Sequence, residues 1–178
     1  MRFAAALLLL VPGWAQAPLK PVAAIAAVSP QVTRPMLAER ERHLDEMISQ
    51  IGAPKDPFHV LGLSRGLYLD GYGVVFTLEG DLIASPVLFL FRPTMSPDEV
   101  AQVRQRKMAQ LPVLRKALRD VWTATASALT ALPADDQVVI SVRLFYQKYE
   151  DTKGMPEQIT LKATRRAGLA GDIQTEEQ

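Results

Sequence analysis

The spacing that comes nearest to a catalytic motif lies at residues 62–66, G-L-S-R-G, which matches the G-x-S-x-G turn that exposes a nucleophilic serine in many hydrolases. That chemistry needs a strand before the serine, a helix after it and a histidine later in the chain. Residues 67–73 are a poor helix, and both histidines, His43 and His59, come before Ser64. We therefore predict a glycine-bracketed loop here, without a catalytic triad.

Carboxylates are the second group of side chains that could do chemistry. The adjacent pairs at 135–136 and 150–151 lie in predicted turns, and acid–base catalysis requires that burial raise the pKa of one partner. In exposed turns both carboxylates stay ionised. A zinc site would need Asp56 beside His43 or His59, because the chain has no cysteine, and their spacing fits no short metal motif. We therefore predict no catalytic and no metal-binding residue.

The glycine pattern and the charge balance narrow the ligand classes. Gly71 and Gly73 would open a G-x-G-x-x-G phosphate loop, but Phe76 occupies its third position, so no cofactor is predicted. The chain has 20 basic and 19 acidic side chains, and loss of Arg2 with a leader would leave 19 of each. A neutral chain is not typical of proteins that bind nucleic acid or an anionic membrane.

A basic stripe is the exception to that balance. Arg104, Arg115 and Arg119 fall on one side of a predicted long helix, within about 60° of one another at 100° per residue. Two interpretations stay open, a site for an anionic partner and a solvated helical face.

The N-terminus has the pattern of a secretory leader. Arg2 is followed by the apolar run 3–11 and then by small residues at Gly13, Ala15 and Ala17, which allow cleavage after Ala15 or Ala17, with Ala15 favoured. A retained anchor would need about 20 apolar residues. We predict a signal peptide (1–15), a linker (16–34), one domain (35–172) and a flexible C-terminal tail (173–178), exported to the periplasm or secreted, without stable membrane insertion.

The domain pattern predicts an α+β fold. A helix from Pro35 precedes a strand at 74–78, a turn at 79–81 and a return strand at 82–91. A capping box at Ser96 opens a long helix in which Pro112 predicts a kink or a break. Strands at 138–146 and 159–163 follow. These elements predict a two-layer sandwich, in which an antiparallel sheet of about four strands carries both helices on one face.

One stretch resembles a known family. Residues 73–85, G-V-V-F-T-L-E-G-D-L-I-A-S, are similar to the first hairpin of profilin-like and roadblock-type domains. The resemblance covers this hairpin and the α-β-β-α-β-β order of elements. It implies a sensory or dimerising scaffold.

We interpret the chain as an exported, non-enzymatic interaction domain whose partner is another protein or a second copy. Its predicted surface is the sheet face without helices, at Val75, Val139, Ser141, Arg143 and Phe145. Coverage of that face by the linker is an equally weighted alternative. The competing function is a small exported hydrolase that uses carboxylates, drawn from Asp56, Asp70, Glu150 and Asp151.

Overall fold

The computed structural model of the chain describes residues 32–53, 55–86 and 94–178. The predicted signal peptide, most of the predicted linker and residues 87–91 of the predicted return strand lie outside these residues. The described parts form an α+β fold in which a long helix and an N-terminal helix pack on a sheet, as the sequence predicts. Val32 is already buried, so the folded part begins before residue 35.

The elements follow one another in a simple order. The helices are α1 (Arg34–Ser49), α2 (Pro97–Ala128) and α3 (Arg165–Leu169). The strands are β1 (Gly52–Ala53), β2 (Asp56–Pro57), β3 (His59–Val60), β4 (Arg65–Leu69), β5 (Gly73–Asp81), β6 (Gln137–Leu144), β7 (Gln158–Thr164) and β8 (Gln174–Glu177). β1 and β2 form a separate two-stranded ribbon.

The main sheet is mixed rather than antiparallel throughout. Its order is β3/β4–β5–β6–β7–β8, because β3 and β4 both pair with β5. β5 and β6 are parallel, and the other neighbours are antiparallel. The reason is the connection: α2 carries the chain back along the sheet before β6 begins, and such a crossover produces a parallel pair. The predicted return strand would have kept the sheet antiparallel.

The predicted turn at residues 79–81 is wrong. β5 continues through it, and Val60 and His59 of β3 pair with Gly80 and Asp81. Gly80 is there because the ring of Phe58 lies against it: a Cβ at position 80 would be 2.3 Å from Phe58 Cζ. Residues 82–86 are irregular rather than a strand. The hairpin that carried the resemblance to profilin-like domains therefore does not form in the described residues.

The two long helices bury one stripe each over the sheet. Leu44 and Ile48 of α1 are fully buried, as the helical spacing predicts. α2 opens with the predicted capping box, in which the Ser96 amide donates to Glu99 Oε2 at 2.9 Å. The helix continues through Pro112 without a break, and the proline is exposed. A bend of the helix axis there stays a prediction.

The C-terminal residues are a strand and not a flexible tail. β8 pairs with β7, and the basic stripe of α2 holds it from the side. The Arg115 guanidinium donates to both carboxylate oxygens of Glu177 at 2.6 and 2.8 Å, and Arg119 donates to Thr175 Oγ1 at 3.0 Å. Arg104 donates to the Lys153 carbonyl at 2.8 Å. The stripe thus binds the chain itself, which neither interpretation of the sequence included.

Side chains of α1 cover the outer edge of β4. Glu41 Oε1 accepts from the Gly66 amide at 2.6 Å, and Asp45 Oδ1 accepts from the Ser64 amide at 2.9 Å. Arg34 donates to the Gly66 carbonyl at 3.2 Å and to Glu41 at 2.6 and 2.8 Å. Strand edges with unpaired backbone groups invite pairing with other chains. At Ser64 and Gly66 the helix supplies the partners that a further strand would otherwise provide.

We expect Glu41→Gln to make the melting temperature depend less on pH in the acid range. The hydrogen bonds from Arg34, and secondarily that from Gly66, hold the pKa of Glu41 below its ordinary value of 4.5 despite burial. A lowered folded-state pKa contributes stability above the unfolded value, which is lost as pH falls through the folded one. Melting temperatures between pH 6 and pH 3 should fall more steeply for the unmodified protein. Glu46→Gln, exposed on the same helix, is the control, and parallel curves for all three proteins would contradict the assignment.

Candidate functional site

Ser64 of the G-x-S-x-G pattern is a buried structural residue. It is 1% exposed, and its hydroxyl donates to the Asp45 carboxylate. His59 is exposed on β3, and His43 lies 3.9 Å from Glu46 on the surface of α1. The residues after Gly66 form β4 and not the helix that the hydrolase turn requires.

A buried ion cluster lies at the carboxyl ends of the parallel strands β5 and β6. Lys107 of α2 is completely buried, and its Nζ is 2.7 Å from Asp81 Oδ1 and 2.6 Å from Glu150 Oε2. Asp81 ends β5, and Glu150 belongs to the segment after β6. Ligands bind at the carboxyl ends of strands in many open α/β sheets, so this is the position where a site is expected. No local pattern identifies this cluster, because Lys107 lies in a helix rich in basic residues and its two partners are distant along the chain.

Polar and aromatic neighbours complete the cluster. Ser85 Oγ lies 2.7 Å from Glu150 Oε1 and 3.2 Å from Asp81 Oδ2. The Tyr146 ring centroid is 4.9 Å from Lys107 Nζ, a cation–π distance. Burial, and then the negative charges of Glu150 and Asp81, raise the pKa of Tyr146 well above its ordinary value. Its hydroxyl therefore stays protonated and donates to the Pro156 carbonyl at 2.7 Å.

The side chain of Lys107, as an ammonium group, has no lone pair with which to act as a nucleophile or a base. Its Nζ lies within ion-pair distance of Asp81 and Glu150 and donates to the Phe145 carbonyl at 3.5 Å. A nucleophilic or basic lysine needs a lone pair, and a general-base carboxylate needs access to a substrate proton. In this arrangement the charges neutralise one another inside the protein. The cluster joins α2, the end of β5 and the segment after β6.

The other carboxylates proposed for a hydrolase do not converge. Asp56 pairs with Arg106, and Asp151 lies 3.2 Å from Arg104. Asp70 lies in the turn between β4 and β5. Only Glu150 of the four sequence candidates belongs to the cluster. Within residues 32–53, 55–86 and 94–178, no three histidine or acidic side chains come close enough to hold a metal ion.

The five residues of the predicted interaction surface lie on the sheet face opposite the helices, but in different rows. Val75 and Val139 are neighbours in register. Ser141 lies in the next row and hydrogen-bonds to Thr160 at 3.1 Å between hydroxyl oxygens. Arg143 and Phe145 lie at the far end, where they border a cavity of about 410 Å³. Val139 is only 7% exposed, whereas Phe145 is 39% exposed and is not part of the main core.

An apolar row crosses this face, and two of its members were missed from the sequence. Leu67 pairs with Val75, and Val75 with Val139, across β4, β5 and β6. Leu69 lies two residues along β4 on the same face. Leu67 is 59% exposed and Leu69 41%. We call Leu67, Leu69, Val75 and Val139 the apolar row; the period-two pattern of L-Y-L at 67–69 was the signal that could have identified its outer end.

The rest of the open face is polar. The row beside the apolar row carries Thr77, Ser141 and Thr160, and the next one carries Glu79, Arg143 and Gln158. Within the strands, the strongly exposed apolar side chains of this face are therefore those of β4, and Phe145 is exposed separately at the far end, after β6. Other exposed large apolar side chains near β4 lie in the adjoining loops, at Leu61, Leu63 and Tyr72. A bounded apolar patch with a polar rim is typical of a protein-binding surface.

The fold and site define a mixed-sheet α+β protein with a buried ion cluster and one open sheet face. Comparison of the chain with models of known families, with curated proteins and with solved structures finds no match. None of the helices in the described parts of the chain combines the length and the apolar character needed to cross a bilayer.

Proposed function

We propose that this chain is an exported, non-enzymatic interaction domain that binds a protein partner through the apolar row on its open sheet face. The observation that carries the proposal is the exposure of Leu67 and Leu69 beside Val75, next to rows of polar side chains on the same face. Such a confined patch supports binding because its burial is favourable and its polar rim keeps the free protein in solution.

The hydrogen bonds at the β4 edge favour a partner that packs on the sheet face over a partner that adds a strand to the edge. The outward backbone groups of Gly66 and the amide of Ser64 are already bonded to α1 side chains. A partner strand would have to displace these bonds before it could pair. The face needs no such displacement, since its apolar side chains are presented directly.

The competing hydrolase function receives less support from the geometry. Asp81 and Glu150 do converge, but Lys107 lies between them and both carboxylates are buried. A carboxylate hydrolase needs at least one carboxyl group open to substrate, with a separation set by the reaction. The cluster offers a structural explanation for Glu150 instead.

The test is site-specific photo-crosslinking of the exported protein. With benzoylphenylalanine at Leu67, we expect a cross-linked product of defined mass that contains a second polypeptide or a second copy. An excess of unmodified protein should abolish it, while an excess of the Leu67→Asp variant should not. Val113, exposed on α2 and away from the sheet, is the matched position for both substitutions.

Two results would count against the proposal. One is the same cross-linked products from positions 67 and 113, and the other is equal competition by Leu67→Asp and unmodified protein. Export belongs to the same proposal and is measured on the same material: its mass should correspond to a chain that lacks residues 1–15 or 1–17. An intact Met1–Val11 segment on the recovered protein would end the export part.

A further inference from the structure

We propose that the cavity of about 410 Å³ at the ends of β5 and β6 binds a short neutral oligosaccharide. We call it the polar cavity; Arg143, Phe145 and Glu157 are among its lining residues. It lies at the far end of the open face from the exposed leucines of the apolar row. It is therefore a second site, and the proposal does not rest on the proposed function.

The polar cavity lies where ligands bind in many open sheets, at the carboxyl ends of parallel strands. Glu79, near the end of β5, and Arg143 of β6 are neighbours in parallel register, and both line the cavity. Glu157, which directly precedes β7, is also part of the lining. The volume is within the range of about 300–1,000 Å³ that small-molecule sites occupy. Position and size therefore both fit a ligand.

The polar side chains of this cavity are free to bind a ligand. Within the part of the chain that the structure describes, five of them form no hydrogen bond and no ion pair. They are Glu79, Arg143, Gln147, Lys148 and Glu157. Together they offer both donors and acceptors in one concave surface, and no bond within the protein has to be broken before they can bind.

The charges of the polar cavity balance, and this balance indicates the kind of ligand. Two of the free side chains are carboxylates and two are cations, and the remaining carboxylate of the lining, Glu150, lies 2.6 Å from Lys107 Nζ. An anion would be repelled by the carboxylates and a cation by the basic groups. A neutral ligand rich in hydroxyl groups meets no such repulsion, because a hydroxyl can donate to a carboxylate and accept from a guanidinium.

An exposed aromatic ring indicates a sugar among the neutral ligands. Phe145 is 39% exposed, and residues 145–148 line both the polar cavity and an adjoining cavity of about 560 Å³. The C–H face of a pyranose ring is apolar and packs on an aromatic ring, while the hydroxyls at its rim reach polar groups. Because the two cavities adjoin, an oligosaccharide fits the surface better than a single sugar does.

The buried ion cluster holds the walls of the polar cavity in place. The Phe145 amide donates to the Gly80 carbonyl at 2.8 Å, and the Phe145 carbonyl accepts from Lys107 Nζ at 3.5 Å. Glu150 Oε1 accepts from the Gln147 amide at 3.1 Å. The main chain that carries the Phe145 ring and the Gln147 side chain is therefore fixed before a ligand arrives, which lowers the entropy lost on binding.

Titration of the isotope-labelled exported protein with cellotriose, maltotriose and triacetylchitotriose, followed by amide chemical shifts, tests the proposal. We expect at least one of these neutral trisaccharides to shift the amides of residues 143–149 in a saturable manner. Phe145→Ala should weaken that binding about tenfold or more, because it removes the stacking surface. Arg143→Met should also weaken it. Tyr72→Ala, at a similarly exposed aromatic before the start of β5, and Leu67→Asp should leave it unchanged.

Three results would overturn the proposal. They are the absence of saturable shifts with all three saccharides up to about 10 mM, equal binding by Phe145→Ala and the unmodified protein, and tighter binding of triglycine than of any saccharide at the same residues. The last would make the cavity a site for a zwitterion. If Phe145→Ala lowers the melting temperature, Phe145→Leu keeps an apolar side chain without the ring and repeats the measurement with the same expectation. The titration concerns a different surface from Leu67, so its failure leaves the photo-crosslinking result standing, and the reverse also holds.

Discussion

Replacing Lys107 by methionine should lower the free energy of unfolding by about 3–5 kcal/mol, the range for removing one partner of a buried ion pair. The substitution keeps most of the side-chain volume and removes the ammonium. Asp81 and Glu150 would then face each other as buried carboxylates without a counter-charge. The measurement is urea denaturation followed by the fluorescence of Trp122, which is fully buried.

The control for Lys107→Met is chosen on the same helix. Lys116→Met changes charge and volume equally but at an exposed position, so its effect should stay within about 0.5 kcal/mol. A triple variant that adds Asp81→Asn and Glu150→Gln should recover part of the loss, because two buried carboxylates then no longer face each other without a counter-charge. Loss below about 1 kcal/mol for Lys107→Met would show that the carboxylates reach solvent, contrary to their burial.

Gly73→Ala should lower the free energy of unfolding by about 3 kcal/mol or more, from strain and close contact together. Gly73 begins β5 with φ near +135°, a conformation that side chains rarely adopt. A Cβ there would lie 2.0 Å from the carbonyl oxygen of Gln137, the first residue of β6. The two parallel strands would have to separate at their start. Thermal and urea unfolding both measure the effect.

Gly71→Ala separates the two causes. Gly71 has φ near +71° in the turn before β5, and no atom lies within 4 Å of its Cβ position. Gly71→Ala should lower the free energy of unfolding by about 1–2 kcal/mol, the cost of placing a side chain on a left-handed backbone conformation. Equal losses at 71 and 73 would mean that the contact with Gln137 contributes nothing.

The local patterns predicted the elements well where one signal dominated. The spacing of Leu44 and Ile48 gave the buried stripe of α1, and Ser96 with Glu99 gave the start of α2. Alternation predicted both ends of β6 and of β7 to within two residues. These features depend on a few neighbouring residues, so the sequence contains all the information they need.

The sequence-based predictions were wrong where a residue contacts a partner far away along the chain. Gly80 resembles a turn residue, but it is glycine because Phe58 packs on it. Glu177 resembles part of a solvated tail, but Arg115 lies across from it. Lys107 looked like a surface charge until Asp81 and Glu150, both far away along the chain, were brought beside it. Such pairings are set by topology, and the parallel β5–β6 pair was the part of the topology that local patterns could not supply.

The parallel pairing of β5 and β6 also affects the order in which contacts form during folding. The β6–β7 hairpin joins neighbouring parts of the chain, whereas β5 can pair with β6 only after the whole of α2 has been brought across the sheet. Contacts between distant parts of a chain form late, because the entropy of closing the intervening loop must first be overcome. Lys107 meets Asp81 and Glu150 only once that crossover is complete. Interactions that form after the rate-limiting step govern how fast a protein comes apart, not how fast it assembles. We therefore expect substitutions in the buried ion cluster to change the unfolding rate more than the folding rate, in a chain that has no disulfide.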